Sequence, residues 1–265
     1  MNVPRSTFYY KRSRAKEARD AILLPQIEEI AGNNNGYGYR RVTAELKKRG
    51  QRVNHKRVLR VMREGNLLCR KRRGRPKWRG GQDQPYSNLL REAKVTGTNQ
   101  AWVADITFIE LPIGFVYLAV IMDFYSRKIV GWALSKRADR MLTVKALQMA
   151  IERRRPGPGC IHHSDRGVQY TSGRYLLALK AAGFHISLSR KGTPADNALM
   201  ESFMRTLKYE EVYRWEYNSF EEAKQRLALF IEQVYNESRL HSSLGYLSPC
   251  EFELKLKEPV QNATF

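Results

Sequence analysis

Three acids stand in settings that call for a chemical reason. Asp105 interrupts an apolar run in "WVADITF", Asp165 precedes Gly167 in "CIHHSDRGVQY", and Glu201 lies inside "DNALMESFMRTLK". An acid within an apolar strand is costly unless it is paired or bound to a cation. Strand alternation puts Asp105 with Val103 and Thr107 on one face, and Ala104, Ile106 and Phe108 on the other. At the helical period Glu201, Arg205 and Lys208 share a face opposite Leu199, Phe203 and Leu207, in a helix that Asp196 is placed to cap. If the apolar face packs down, the acid and both cations turn toward one region.

Two aspartates and a glutamate offer hard oxygen ligands, which suit Mg²⁺ and leave room for water. In-line displacement at a phosphodiester needs an activated nucleophile and a stabilised leaving oxygen, and two Mg²⁺ (or Mn²⁺) ions about 4 Å apart serve both. Histidine or thiolate would be the wrong ligand set. Each acid also has an ordinary reading: Asp105 paired to an arginine, Asp165 in a turn, Glu201 on a solvated helix face. Asp123 and Asp139 lack such neighbours and read as a turn acid and a helix cap.

The charge points to a polyanion. The chain has 265 residues and a formal net charge of +21. Residues 1–100 hold 25 Lys+Arg against 8 Asp+Glu, whereas residues 101–265 hold 22 against 18, so the first hundred residues form the electrostatic footprint. A membrane surface is the rival polyanion. No apolar stretch exceeds the eight residues of "FVYLAVIM" (115–122), too short for a bilayer span, and "MNVPRSTFYYKRS" lacks the apolar segment of a secretory signal. Cys69, Cys160 and Cys250 have no paired spacing, which argues against a disulfide framework or cysteine zinc site and fits a reducing cytoplasm. Double-stranded DNA is the expected partner, and no membrane is.

The elements that must position these residues are set by local pattern. A short helix is expected over 21–32, a turn in "NNNGYGYR", a helix through "RRVTAELKKRG" ending at Gly50, and a helix capped by Asn54 and closing at Gly65. This suggests a helix-turn-helix, with Lys56, Arg60 and Arg63 on one face and Val58 and Val61 toward the core. A solvated basic face is the plain alternative. Within so basic a segment, phosphate contact is favoured for these residues and for Arg40, Arg41, Arg72 and Arg73. Residues 69–94 form a basic linker able to lie along a phosphate backbone. From Ala101 three β-rich runs separated by turns predict an antiparallel meander. Next come a helix from Asp139 to about Arg154, a strand to His163, a helix over 173–182, the strand "FHISLS", a helix from near Asp196 and another over 220–236.

The interval from Asp165 to Glu201, together with "WVADIT", "HSDRGVQY" and "DNALMESFMRTLK", resembles the catalytic core of retroviral-integrase-like DDE transposases. More closely it is similar to the second-frame product (OrfB) of the IS-three family of bacterial insertion sequences; "DFYSRKIVGWAL" (123–134) and "YNESRLHSSLGYLSP" (235–249) share that pattern. The resemblance runs from about Gly36 to Pro249. It implies an α/β, RNase H-like mixed five-stranded sheet flanked by helices over 95–255, preceded by a small all-α helix-turn-helix segment (36–68), a basic N-terminal segment (1–35) and the linker, with a tail at 256–265. It implies Asp105, Asp165 and Glu201 as catalytic residues and divalent-metal ligands, and Lys208 as a basic residue contacting DNA near the reacting end. The implied activity is metal-dependent cleavage and strand transfer at the ends of an insertion sequence, by a homo-oligomer on nucleoid DNA. The chain opens at "VPRSTFYYK", where such second-frame products begin, so an upstream-frame DNA-binding partner is expected.

Other features receive structural expectations. His162 and His163 face opposite sides of a strand, so one is expected to be packed and the other to neighbour the site. Trp102 and Trp132 belong to the core. "RKGTPADN" reads as a mobile loop near DNA or an ordinary connection, and Arg239 and His241 read as family-pattern residues with a structural role as the alternative. Two rival functions stay open at this point: an RNase H-like nuclease without strand transfer, and a non-catalytic DNA-binding regulator.

Overall fold

The computed structural model describes residues 14–34, 36–68, 85–112 and 114–258. Arg72, Arg73, most of the basic linker and the last tail residues lie outside them. The chain divides into two compact units, Met1–Gly74 and Arg75–Phe265.

In the first unit, helices α1 (Arg14–Asn33), α2 (Tyr39–Lys48) and α3 (His55–Glu64) surround a small core. Leu23, Ile27 and Ile30 recur at helical spacing on α1 and are buried with Val42, Leu46, Val58, Val61 and Met62. Asn54 caps α3 by accepting from the Lys56 backbone N–H at 2.9 Å, and the turn after α2 uses Gly50 at φ +82°. Helix α1 begins at least seven residues before the expected Ala21. "RAKEARD" is rich in strong helix formers, and Asp20 has work to do there. Its carboxylate accepts from Arg57 Nε at 2.7 Å and Arg60 Nη2 at 2.8 Å.

In the second unit five strands form one sheet in the order β3-β2-β1-β4-β5. They are β1 (Ala101–Leu111), β2 (Gly114–Asp123), β3 (Ile129–Ser135), β4 (Ile161–Ser164) and β5 (His185–Leu188). The first three are antiparallel; β4 runs parallel to β1, and β5 parallel to β4. This is the expected mixed sheet. One face carries Val103, Ile109, Leu118 and Val120 against helix α6 (Ala198–Glu210), helix α7 (Phe220–Leu229) and Phe230, Ile231 and Tyr235. The other carries Trp102, Ala104 and Ile121 against α4 (Arg140–Arg154) and α5 (Gly173–Ala181). Gly131 lets α4 approach β3 closely, since a Cβ there would stand 2.3 Å from the Ala146 carbonyl oxygen.

Two helical expectations need correction. Asp196 does not cap α6: a 3₁₀ turn, Pro194–Asn197, intervenes, and the Asp196 carboxylate instead accepts from the Arg190 backbone N–H, Nε and Nη2. The helix expected over 220–236 is α-helical only to Leu229 and continues as a π-helix over Phe230–Ser238. The wider turn lets Phe230, Ile231, Tyr235 and Asn236 all be buried. Asn236 then seals the outer edge of β3, accepting from Ile129 N–H at 2.8 Å and donating to its carbonyl at 2.9 Å. Asp139 does cap α4, accepting from Leu142 N–H.

A buried polar network locks the last helix, α8 (Pro249–Lys257), to the sheet. Arg154 donates to Glu253 through Nη1 at 2.7 Å and Nη2 at 2.9 Å, and through Nε to Asn99. Asp123, fully buried, accepts from the backbone N–H of Asn99, Tyr125 and Ser126. Asp123 is therefore a turn acid, as its setting implied, but one that organises the core.

His162 and His163 are both buried, so neither reaches the surface of the site. His162 Nε2 pairs with the Tyr175 hydroxyl at 2.9 Å, and His163 bridges the hydroxyls of Ser187 and Ser189. Burial holds the His162 imidazole neutral, with its pKa down to about 3. A histidine depressed in the folded state gives stability that is complete above the unfolded pKa, near 6.5, and is lost as pH falls toward the folded value. Urea melts should therefore show stability falling below about pH 6.5. His162→Phe is expected to cost a pH-independent increment, by orphaning the Tyr175 hydroxyl, and to flatten that slope. An unchanged slope in the variant would refute the assignment.

Candidate active site

Residues Ala101, Trp102 and Val103 of β1 face Ile161, His162 and His163 of β4. Asp165 directly follows the end of β4, and Asp105 lies two residues beyond Val103, the last position of β1 paired with that strand. Beyond Val103 this edge of β1 has no strand partner, and α6 takes the place of one. The Asn197 side chain donates to the Ala104 carbonyl at 3.0 Å. Further along, Lys208 Nζ sits 4.7 Å from the centre of the Phe108 ring. Two tethers thus lay α6 along β1, and Glu201, one turn past Asn197, falls near the level of Asp105. Met200, Phe203, Met204 and Leu207 are the buried residues of α6; Met200 and Met204 complete the inner face with Phe203 and Leu207, and Leu199 is only partly buried.

Each acid has a donor of its own. Asp105 Oδ1 accepts from Ile106 N–H at 2.8 Å, Asp165 Oδ1 from Gly167 N–H at 2.9 Å, and Glu201 Oε1 lies 4.0 Å from Arg205. In this arrangement no three His, Cys, Asp or Glu side chains among the described residues stand together closely enough to hold a metal. The sheet and α6 bring the backbones to one edge, while the carboxylates turn to separate donors.

The donor set still fits a hard divalent cation. Asp165 is exposed, yet desolvation by the surrounding protein raises its carboxyl above the ordinary value, with the Gly167 N–H partly offsetting this. A Cβ at Gly167 would stand 2.9 Å from Asp165 Oδ1, so any other residue there would displace that carboxylate. Nearby, the buried Tyr170 hydroxyl and the Asn197 side-chain oxygen lack hydrogen-bond partners among the described residues. Burial first, then Tyr175, Asp105 and Asp165, hold Tyr170 firmly protonated. Burial lowers the Lys208 ammonium, and Asp105 opposes that shift.

Sequence reading passed over Tyr170 and Asn197. A tyrosine in a Gly/Ser/Thr-rich turn that proves fully buried is the signal that was available; Asn197, inside a quoted segment, carried none. Among the basic residues, Lys56, Arg63 and Arg40 are exposed. Arg60 is turned to Asp20, and Arg41 lies over the Tyr37 ring at 5.6 Å. Arg205 is exposed beside Glu201. Arg239 is structural: it binds Glu210 through Nε at 2.7 Å and Nη2 at 2.8 Å, anchoring the end of α6. His241 is buried against the Tyr235 ring.

Such a sheet, with acids at the β1–β4 edge and a helix laid beside them, defines an integrase-type catalytic core. Family models for the integrase core domain match residues 95–194 and 182–249, and a model for an HTH-like domain matches residues 17–75. The transposase for insertion sequence element IS904 of Lactococcus lactis is 38% identical, covering 92% of this chain and 98% of its own. An IS600 31 kDa protein of Shigella sonnei is 41% identical over 96% of each chain, and the InsF transposase of IS3A from Escherichia coli is 35% identical over 95% of this chain and 87% of its own. Among solved structures, the catalytic core domain of BIV integrase aligns with a TM-score of 0.45 and 18% identity over 60% of this chain and 95% of that one. The chain belongs to the IS3-family insertion-sequence transposases, enzymes of the DDE type. The integrase core domain family uses a divalent metal, and the HTH-like domain implies DNA binding. Among the described residues no helix is long and apolar enough to cross a membrane.

Proposed function

We propose that this transposase cuts and rejoins DNA strands at the ends of its insertion sequence, with Asp105, Asp165 and Glu201 holding two Mg²⁺ or Mn²⁺ ions. What supports the reading is that Asp165 follows the strand paired with β1, while Asn197 and Lys208 hold the Glu201 helix along the same strand that carries Asp105. Bound divalent ions would supply Lewis-acid stabilisation of the attacking and leaving oxygens of an in-line displacement. The chain's own groups position the rest. Gly167 N–H orients Asp165; Lys208 and Arg205 offer positive charge to phosphate; and Lys56, Arg63 and Arg40 steer the duplex, giving binding that weakens steeply with salt. The partners are element ends and target DNA, held by more than one copy of the chain and an upstream-frame protein, acting on the bacterial nucleoid.

A labelled oligonucleotide duplex ending in a free 3′-hydroxyl, mixed with target duplex and Mn²⁺, tests this. Joined product of increased length is the expected outcome. Shortened strands alone would make the protein a hydrolytic nuclease, and binding without any change in strand length would make it a regulator.

A further inference from the structure

The hairpin joining β1 and β2 carries two phenylalanines that the core does not claim. Phe108 is 55% exposed and Phe115 50% exposed, although the residues beside them, Thr107, Ile109 and Val116, are buried. Their rings meet edge to face with centroids 5.6 Å apart. They share one face of the hairpin: Phe108 lies opposite Tyr117, and Phe115 opposite Glu110. Large aromatic side chains ordinarily supply core area, so two held together in solvent suggest a flat partner.

Lys208 links this pair to the acids. Its ammonium stands over the Phe108 ring and also within the field of Asp105. Phe108 is three residues from Asp105, about 10 Å along an extended strand and on its opposite face, and Lys208 on the neighbouring helix is the group that reaches both. On the same face, opposite Phe115, exposed Glu110 repels phosphate. The rings stand perpendicular and Lys208 lies over one of them, so a nucleotide at this place has its backbone drawn to Lys208 and its base on an open ring face of the pair.

We propose that Phe108 and Phe115 form a stacking platform for a nucleobase freed from the DNA end beside the scissile phosphate. This deepens the strand-transfer reading and rests on it. Every base has a π face, so such a platform accepts any sequence. It would also stabilise an end nucleotide drawn out of the duplex stack, as enzymes acting on DNA often require.

The probe is a duplex with a short unpaired 3′ end carrying 2-aminopurine, titrated with the full chain in EDTA so that no strand is cut. The expected result is quenched fluorescence on binding. Phe108→Ala/Phe115→Ala should abolish the quench and weaken binding of the unpaired end about tenfold, leaving a blunt duplex bound as before. Phe108→Tyr should keep the quench, which separates loss of stacking from loss of fold. Absence of quenching in the wild type, an undiminished quench in the double variant, or an equal loss for blunt and unpaired ends would overturn the platform. So would a fall in sedimentation coefficient of the free double variant, since the rings would then join two copies. Glu201→Gln should keep the quench while losing nicking. Nicking retained in Glu201→Gln would refute the triad, whatever the rings do.

Discussion

Glu201→Gln is expected to lower metal-dependent nicking and joining by roughly 10³-fold or more, because it removes a charged ligand from a site whose residues act as a unit. The fold should scarcely notice. The Glu201 side chain is 40% exposed, and Arg205, 4.0 Å from it, is 74% exposed. Such a surface pair contributes about 0–1 kcal/mol. DNA affinity should stay within about twofold of wild type, since the basic face of the first unit is untouched. Gel-shift and nicking assays on one preparation would separate the two effects. Nicking near the wild-type rate would remove Glu201 from the chemistry.

Arg154→Met is expected to produce the largest loss of stability. Arg154 sits between Glu253, which it binds through both terminal nitrogens, and the fully buried Asp123, whose Oδ2 is 3.9 Å away. Burial raises the Asp123 carboxyl, while Arg154 and Ser126 hold Glu253 below its ordinary value against the same burial effect. Methionine fills much of the space but leaves two acids close together, with Lys128, 3.6 Å from Glu253, and neutral donors as compensation. Breaking a buried pair by removing one partner costs about 3–5 kcal/mol, which lowers the melting temperature by on the order of 10 °C in a unit of this size. Differential scanning calorimetry measures it directly. A shift of only about 1–2 °C would show that the network is far better hydrated than its burial implies.

Much of the site was legible because period and spacing carry it. Alternation alone placed Asp105 on the face with Val103 and Thr107, and the helical period paired Glu201 with Arg205. The resemblance and the family it named agree with the relatives found. What remained hidden depends on contacts distant in sequence. Asp196 looks like a helix cap until Arg190 is found beside it. Arg60 looks like a phosphate contact until Asp20, forty residues earlier, claims it. "FEEAKQRLALFIEQVYN" has an ordinary helical pattern, and its change to π geometry goes with the burial of Phe230, Ile231, Tyr235 and Asn236 and the pairing of Asn236 with Ile129. His162 and His163 alternate as any strand pair does, but helices cover one face and β5 serines the other, so both are buried.

The most direct test is thermal melting of the full chain with and without Mn²⁺. Binding to the folded state alone raises stability as RT ln(1 + [L]/Kd), about 2.7 kcal/mol at a hundredfold excess over Kd. Asp165 is exposed, so Asp165→Asn should leave the metal-free melting temperature close to that of wild type. The account predicts a Mn²⁺-induced rise in wild type that both Asp105→Asn and Asp165→Asn abolish; an equal rise in either variant would contradict it.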